Sequence, residues 1–124
     1  MGSESGAVVD ATKETFDELV ASGLVLVDVW AESCRPCVVL APHMHTVADR
    51  HPDLTVVKLD AGKARRKCMS LQVRGLPTLL LYQDGQEVAR LTDTSLVAEK
   101  LDAWLATELD RLSAEDDTGT KEED

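Results

Sequence analysis

The chain has 124 residues, enough for one domain with a core of ordinary size. Its net charge of −10 argues against nucleic acid, because phosphate binding needs basic surface. No apolar run approaches the ~18–20 residues that span a bilayer, so no membrane segment is expected.

Residues 1–6, Met-Gly-Ser-Glu-Ser-Gly, read as a flexible leader with neither the basic nor the apolar region of a signal peptide. Three cysteines without such a signal argue against a secreted disulfide scaffold and for catalytic thiols in a reducing compartment, so a cytoplasmic protein is expected. Ala7-Val8-Val9 fits a short edge strand. Thr12 then caps a helix whose apolar positions Phe16, Leu19 and Val20 fall at i, i+3 and i+4, with Thr15 an alternative start and Ser22-Gly23 its end.

Leu24 to Trp30, Leu-Val-Leu-Val-Asp-Val-Trp, is a near-continuous apolar run and reads as a buried central strand. A short polar turn follows, and then Cys34-Arg35-Pro36-Cys37 opens a helix to about Asp49 that should kink near Pro42. Its expected inward positions are Val38, Leu40, Ala41, Met44, Val47 and Ala48. Leu54–Asp60 is the next strand, and Ala64–Leu71 a short helix. Thr78–Tyr82 and Glu87–Leu91 flank Asp84-Gly85, a strong hairpin signal. Leu96, Val97, Leu101, Trp104, Leu105 and Leu109 trace the apolar stripe of a closing helix, with Lys100 at its edge. Residues 113–124 are rich in Asp and Glu and bury almost nothing apolar, which predicts a disordered solvating tail, with partner binding as the alternative. The order of elements gives an α/β sandwich over residues 7–112: a mixed sheet with helices on both faces.

The chemistry concentrates where the buried strand meets the second helix. Free N–H groups and the helix dipole at that end favour negative charge, so a thiolate there is stabilised. A spacing of three lets the Cys37 sulfur reach that of Cys34 within one turn, and the pair can close and reopen a disulfide. Zinc is not expected, since tetrahedral zinc wants four ligands and there is no second CxxC. His43 and His45 are two apart on a helix and diverge; with His51 they read as ordinary surface or boundary residues.

The run Val27-Asp28-Val29-Trp30-Ala31-Glu32-Ser33-Cys34-Arg35-Pro36-Cys37, with Ala41-Pro42 after it, resembles the active-site segment of thioredoxins. Val56-Val57-Lys58-Leu59-Asp60 and Val73-Arg74-Gly75-Leu76-Pro77-Thr78 resemble that family's third strand and its cis-proline loop. The similarity runs in order from about Ala7 to Leu109, which makes it far more specific than a bare CxxC. It implies the thioredoxin-like fold and a thiol–disulfide oxidoreductase that reduces protein disulfides, with no metal or organic cofactor. Cys34 would be the nucleophile, Cys37 the resolving thiol, and Asp28 the group that accepts and returns the Cys37 proton. Lys58 would moderate Asp28, unless it is simply a strand lysine reaching solvent. The bond before Pro77 would be cis, although the sequence alone leaves its isomer open. Trp30, Ser33, Arg35, Pro36, Gly75, Leu76 and Pro77 would meet the substrate, with the Leu76 backbone pairing an extended client segment. Implied partners are disulfide-containing clients and a thioredoxin-reductase-type or other dithiol donor, and a monomer is expected.

Three departures bear on that implication. Ser33 stands where the family usually has tryptophan, which removes docking surface. Arg35 replaces the usual glycine and favours a Cys34 thiolate by less than ~1 kcal/mol at exposed distances. The loop Thr92-Asp93-Thr94-Ser95 lacks the expected glycine, so a side chain there, Asp93 or Thr94, can crowd or repel an incoming peptide. These keep a second reading open: a redox-responsive binding module or dedicated partner with little general reductase turnover. Finally, Cys68 adjoins the basic run Lys63–Lys67. Either those charges acidify it into a regulatory thiol, or it is a small helix residue beside a solvated face.

Overall fold

The computed structural model describes residues 8–122, with side chains through residue 115; the leader 1–6 lies outside the described residues. Nine elements follow one another: β1 (Val8–Ala11), α1 (Phe16–Leu19), β2 (Leu24–Trp30), α2 (Arg35–Arg50), β3 (Leu54–Asp60), α3 (Arg65–Ser70), β4 (Thr78–Gln83), β5 (Gln86–Thr92) and α4 (Ala98–Glu122). The five strands form one sheet in the order β1-β3-β2-β4-β5. β1, β3 and β2 run parallel, while β4 and β5 are antiparallel to their neighbours. This is the mixed sheet that the order of elements predicts.

β2 is central because both of its faces are apolar. Leu26 joins a core with Val56, Leu79 and Leu81 of the sheet and Leu40, Met44, Val47, Leu101 and Leu105 of α2 and α4. One residue along, Val25, Val27 and Val29 join the opposite core with Val57, Leu59 and Leu80, closed by Phe16 of α1 and Cys68 of α3. Alternate residues of a strand point to opposite faces, so Asp28 lies on the side of Leu26, toward the α2 layer. Its register partner is Lys58 of β3.

Two inward positions expected from the sequence turn outward. Val38 is half exposed because the buried line of α2 runs through Cys37, Leu40, Met44, Val47 and Ala48, and Val38 sits about 100° round the helix from Cys37. Val97 is exposed because it precedes the first turn of α4, while Leu96 is the residue that enters the core. α1 is a single turn with Thr15 at its N-cap. Thr12 serves the turn before it, its hydroxyl accepting from the Glu14 and Thr15 amides at 3.2 Å each. α4 continues as helix to Glu122, so it enters the acidic segment for which composition predicts no fixed structure; Leu112 is its last buried side chain among those described. Among the described residues no helix is long and apolar enough to cross a membrane.

The β4–β5 hairpin turns on Asp84 at φ 51° and Gly85 at φ 88°, both left-handed, as a two-residue turn with the twist of the strands requires. Asp84 also ties the hairpin to the α1–β2 turn: its carboxylate accepts from the Gly23 amide, and its own amide donates to the Gly23 carbonyl, both at 2.9 Å. A Cβ at Gly85 would lie 3.3 Å from the Ala21 carbonyl oxygen as well as straining the backbone. Gly85→Ala is therefore expected to destabilise the protein by about 1–2 kcal/mol. Urea unfolding should show a lower midpoint at unchanged slope, and an unmoved midpoint would contradict the close approach.

Candidate active site

The site forms where β2 ends and α2 begins. After Trp30 the chain turns through Ala31-Glu32-Ser33, and the Cys34 amide closes that turn on the Ala31 carbonyl at 3.0 Å. Cys34 is the N-cap of α2, in extended conformation, and its sulfur accepts from the Cys37 amide at 3.3 Å. A sulfur in the place of a capping oxygen satisfies one of the amides that a helix start leaves free. Pro36, in the first turn, has no amide to leave unpaired there. Cys34 and Cys37 are joined as a disulfide with Cα atoms 5.3 Å apart, a separation well suited to a bridge. Their surroundings differ: Cys34 is partly exposed and flanked by exposed Ser33 and Arg35, whereas Cys37 is buried.

Asp28 is one of two buried polar side chains among the described residues, the other being Thr78. Burial pushes its carboxyl up to about 6, and Lys58 across the β2–β3 ladder opposes that rise without cancelling it. The Lys58 ammonium is 4.8 Å from the Trp30 ring centroid, so the same cation lies against the tryptophan that ends β2.

Beside the end of β2, where Thr78 pairs with Val29, the Leu76–Pro77 bond is cis and Pro77 is buried. The Thr78 hydroxyl donates to the Gly75 carbonyl at 2.5 Å and meets the Thr92 hydroxyl at 2.7 Å. Having one hydrogen, it must accept from Thr92. A Cβ at Gly75 would come within 3.1 Å of the Thr92 methyl group, so a glycine is what lets β5 close on this loop. The Asp93 amide completes the frame by donating to the Pro77 carbonyl at 3.3 Å.

The loop that lacks glycine is arranged unlike the expectation for Asp93. Its carboxylate is held by Lys100 at 2.5 Å and by the Ser95 amide at 2.8 Å, so the charge is already matched within its own loop. The Lys100 hydrogen bond, followed by that of Ser95, lowers its pKa. Thr94, exposed, is the side chain left beside Gly75.

Of the two readings of Cys68, the small helix residue fits the structure and the acidified thiol does not. Cys68 is buried in the core beneath α3, and burial, with Asp60 adding to it, pushes its thiol up rather than down. Lys67 points elsewhere, its ammonium 2.6 Å from Asp17 and over the Phe16 ring. His43 bonds Asp102 at 2.8 Å and joins α2 to α4, and no group of potential metal ligands gathers among the described residues. Shallow clefts flank Ser33, one lined by Ala31, Glu32, Asp60, Gly62 and Lys63, the other by Glu32, Arg35, Val38 and Val39. A larger cleft of about 480 Å³ lies by Leu24, His51, Leu54 and Gln83, at the opposite end of the sheet from the sulfurs, and takes no part in their chemistry.

Comparison with known proteins agrees with this geometry. The thioredoxin family model matches residues 7–107. The chain belongs to the thioredoxin family. It is 41% identical over 80 residues to a thioredoxin of Chlamydia pneumoniae, covering 64% of this chain and 78% of that one. A thioredoxin of Acetoanaerobium sticklandii is 38% identical over 96 residues, covering 75% and 91%. Among solved structures, a mutant thioredoxin from Halobacterium salinarum NRC-1 superposes with a TM-score of 0.73 at 26% identity, covering 83% of this chain and 91% of that one. A complex of ferredoxin:thioredoxin reductase with thioredoxin f2 gives 0.76 at 26% identity, covering 85% and 97%. This thioredoxin-family protein is a thiol–disulfide oxidoreductase with Cys34–Cys37 as its redox-active pair, and a binding module without turnover is not favoured.

The sulfurs and Asp28 stand out from the residues themselves and Pro77 from the family resemblance, while nothing in the sequence assigns a role to Thr78, Thr92 or Arg90. The signal for Thr78 was its place just after the proline; for the two β5 residues it lay only in the register of the hairpin, which pairs Thr78 with Thr92.

The Asp28 pKa sets a pH dependence. The ordinary value is 3.8 and the folded value about 6, so between those the folded state holds a proton that the unfolded state has lost. Stability contributed by Asp28 is thus present below about pH 4 and lost as pH rises through 6, a span worth about 3 kcal/mol. Asp28→Asn should flatten this slope in urea titrations of the oxidised protein and leave it more stable at pH 8. Parallel profiles for the two proteins would contradict a carboxylate buried at that cost.

Proposed function

We propose that the protein reduces disulfides of client proteins by a two-step exchange in which Cys34 attacks and Cys37 resolves. The Cys34 thiolate forms a bond to one client sulfur and releases the other as a thiol. The Cys37 thiolate then displaces the client from Cys34, leaving a reduced client and the Cys34–Cys37 disulfide. What carries this division of labour is the contrast in access: one sulfur at the partly exposed helix start, the other buried one turn further in. A foreign disulfide reaches the first and not the second.

Asp28 takes the proton of Cys37 in the second step and returns it when the pair is reduced. A carboxyl titrating near 6 exchanges protons with a thiol at neutral pH far more readily than one near 4. Lys58 keeps that value from rising further. The client lies extended against Gly75-Leu76-Pro77, its backbone pairing with that of Leu76, while Trp30, Ser33, Arg35 and Pro36 line the approach to Cys34. Ser33 offers no flat apolar ring, so docking leans more on the Pro77 loop.

Two electrons per cycle come from a reductase-type or other dithiol donor, a reading supported by the solved complex of a related thioredoxin with ferredoxin:thioredoxin reductase. No metal or organic cofactor is needed for exchange between sulfurs. The protein works as a monomer in the cytoplasm.

The direct test is to trap the intermediate with Cys37→Ser. That variant should accumulate mixed disulfides on Cys34 that dithiothreitol releases, while Cys34→Ser accumulates none and loses insulin reduction by at least about a thousandfold. Client adducts on Cys37 in Cys34→Ser, with turnover retained, would reverse the assignment.

A further inference from the structure

Strand β5 carries no sulfur and no buried acid, yet it grips the segment that presents Pro77 from α3 onward. The Arg90 guanidinium sits at the end of α3. One Nη donates to the Gln72 carbonyl at 3.0 Å and the other to the Leu71 carbonyl at 2.9 Å. Its remaining donors meet both oxygens of Glu87, at 2.6 and 2.8 Å, which holds the fork in place. Further along the same strand, Thr92 bonds Thr78, and the next residue, Asp93, bonds Pro77.

Of the two carbonyls Arg90 takes, that of Leu71 is at the C-cap, where a helix end leaves carbonyls short of partners, and that of Gln72 lies just beyond it. α3 stops when Gln72 adopts φ 59°, with the Gln72 amide on Met69 and the Val73 amide on Cys68, both at 3.0 Å. That closure is usually made by glycine, because a side chain is strained in the left-handed region. Here a glutamine makes it, so the direction in which the chain leaves α3 is held against a local preference for another conformation. The tie across Leu71 and Gln72 is what a cation with planar, paired donors supplies and a single ammonium does not.

We propose that Arg90 is a positioning residue for client binding: by clamping the Leu71 and Gln72 carbonyls to β5, it sets where the Gly75-Leu76-Pro77 backbone is offered to an extended client. This rests on the proposed pairing of the client with Leu76. Arg90 touches neither sulfur, so it governs capture of a peptide chain and leaves the exchange chemistry alone.

The test compares two disulfides with the full-length protein: insulin, whose disulfide sits in a peptide backbone, with dithiothreitol as reductant, and dithiobis-nitrobenzoate, which has no backbone, reacted in a single turnover with the pre-reduced protein freed of dithiothreitol. Arg90→Ala should raise KM for insulin about 3–10-fold at nearly unchanged kcat, with the small-disulfide rate and the Cys34–Cys37 potential unmoved. Arg90→Lys should recover part of the loss, since one ammonium can reach one carbonyl. If Arg90→Ala does not fold, Arg90→Lys carries the test alone, with a smaller rise in KM for insulin only. An unchanged KM for insulin in a folded variant, or parallel loss on both substrates, overturns the proposal. Wild-type turnover of insulin checks the underlying reading: its absence removes both, whereas wild-type turnover beside an unmoved KM removes the role of Arg90 alone.

Discussion

Everything at the site depends on the meeting of a doubly buried strand with a helix start that leaves its amides open. β2 cannot move, because both faces of Val25–Val29 are packed, so the position of Cys34 at the next helix's N-cap is fixed by the core rather than by the loop. The helix in turn supplies what a thiolate needs: an amide pointed at the sulfur and the positive end of the backbone dipole. A mobile loop could present two cysteines at the same spacing and would supply neither.

The same strand carries its one conspicuous cost. Asp28 could have been a valine like its neighbours. Keeping it costs about 3 kcal/mol at neutral pH, comparable to what one or two buried leucine-sized side chains contribute. Such a cost is retained where it serves chemistry, and the carboxyl lies on the α2 side of the sheet, behind the helix that bears Cys37. Lys58 limits the cost and simultaneously stacks on Trp30, so one cation connects the buried acid to the ring at the end of β2.

Most of the fold was legible because the sequence states it locally. The Leu24–Trp30 and Leu54–Asp60 strands end where their apolar runs end, and Asp84-Gly85 marks its turn through backbone angles few other residue pairs tolerate. Errors came where a pattern of period 3.6 was read one residue off, as at Val38, or past the true helix start, as at Val97. The cysteine pair was legible from spacing and setting. Cys68 is the small helix residue of its two readings, and the basic run beside it does not acidify it, because charge along the chain says nothing about where side chains point: Lys67 turns to Asp17 and the thiol turns inward. The β5 side of the frame around Pro77 was hardly legible, since Arg90 and Thr92 act on residues 14 to 19 positions away through hairpin register and a helix end.

The division of labour between the sulfurs requires that Cys34 alone among the three cysteines meet solvent as a reactive sulfur. Iodoacetamide labelling of the fully reduced protein at pH 7, followed by mass spectrometry of each cysteine, measures this directly. Cys34 should be modified at least about tenfold faster than Cys37 or Cys68. Equal rates, or Cys37 first, would contradict it.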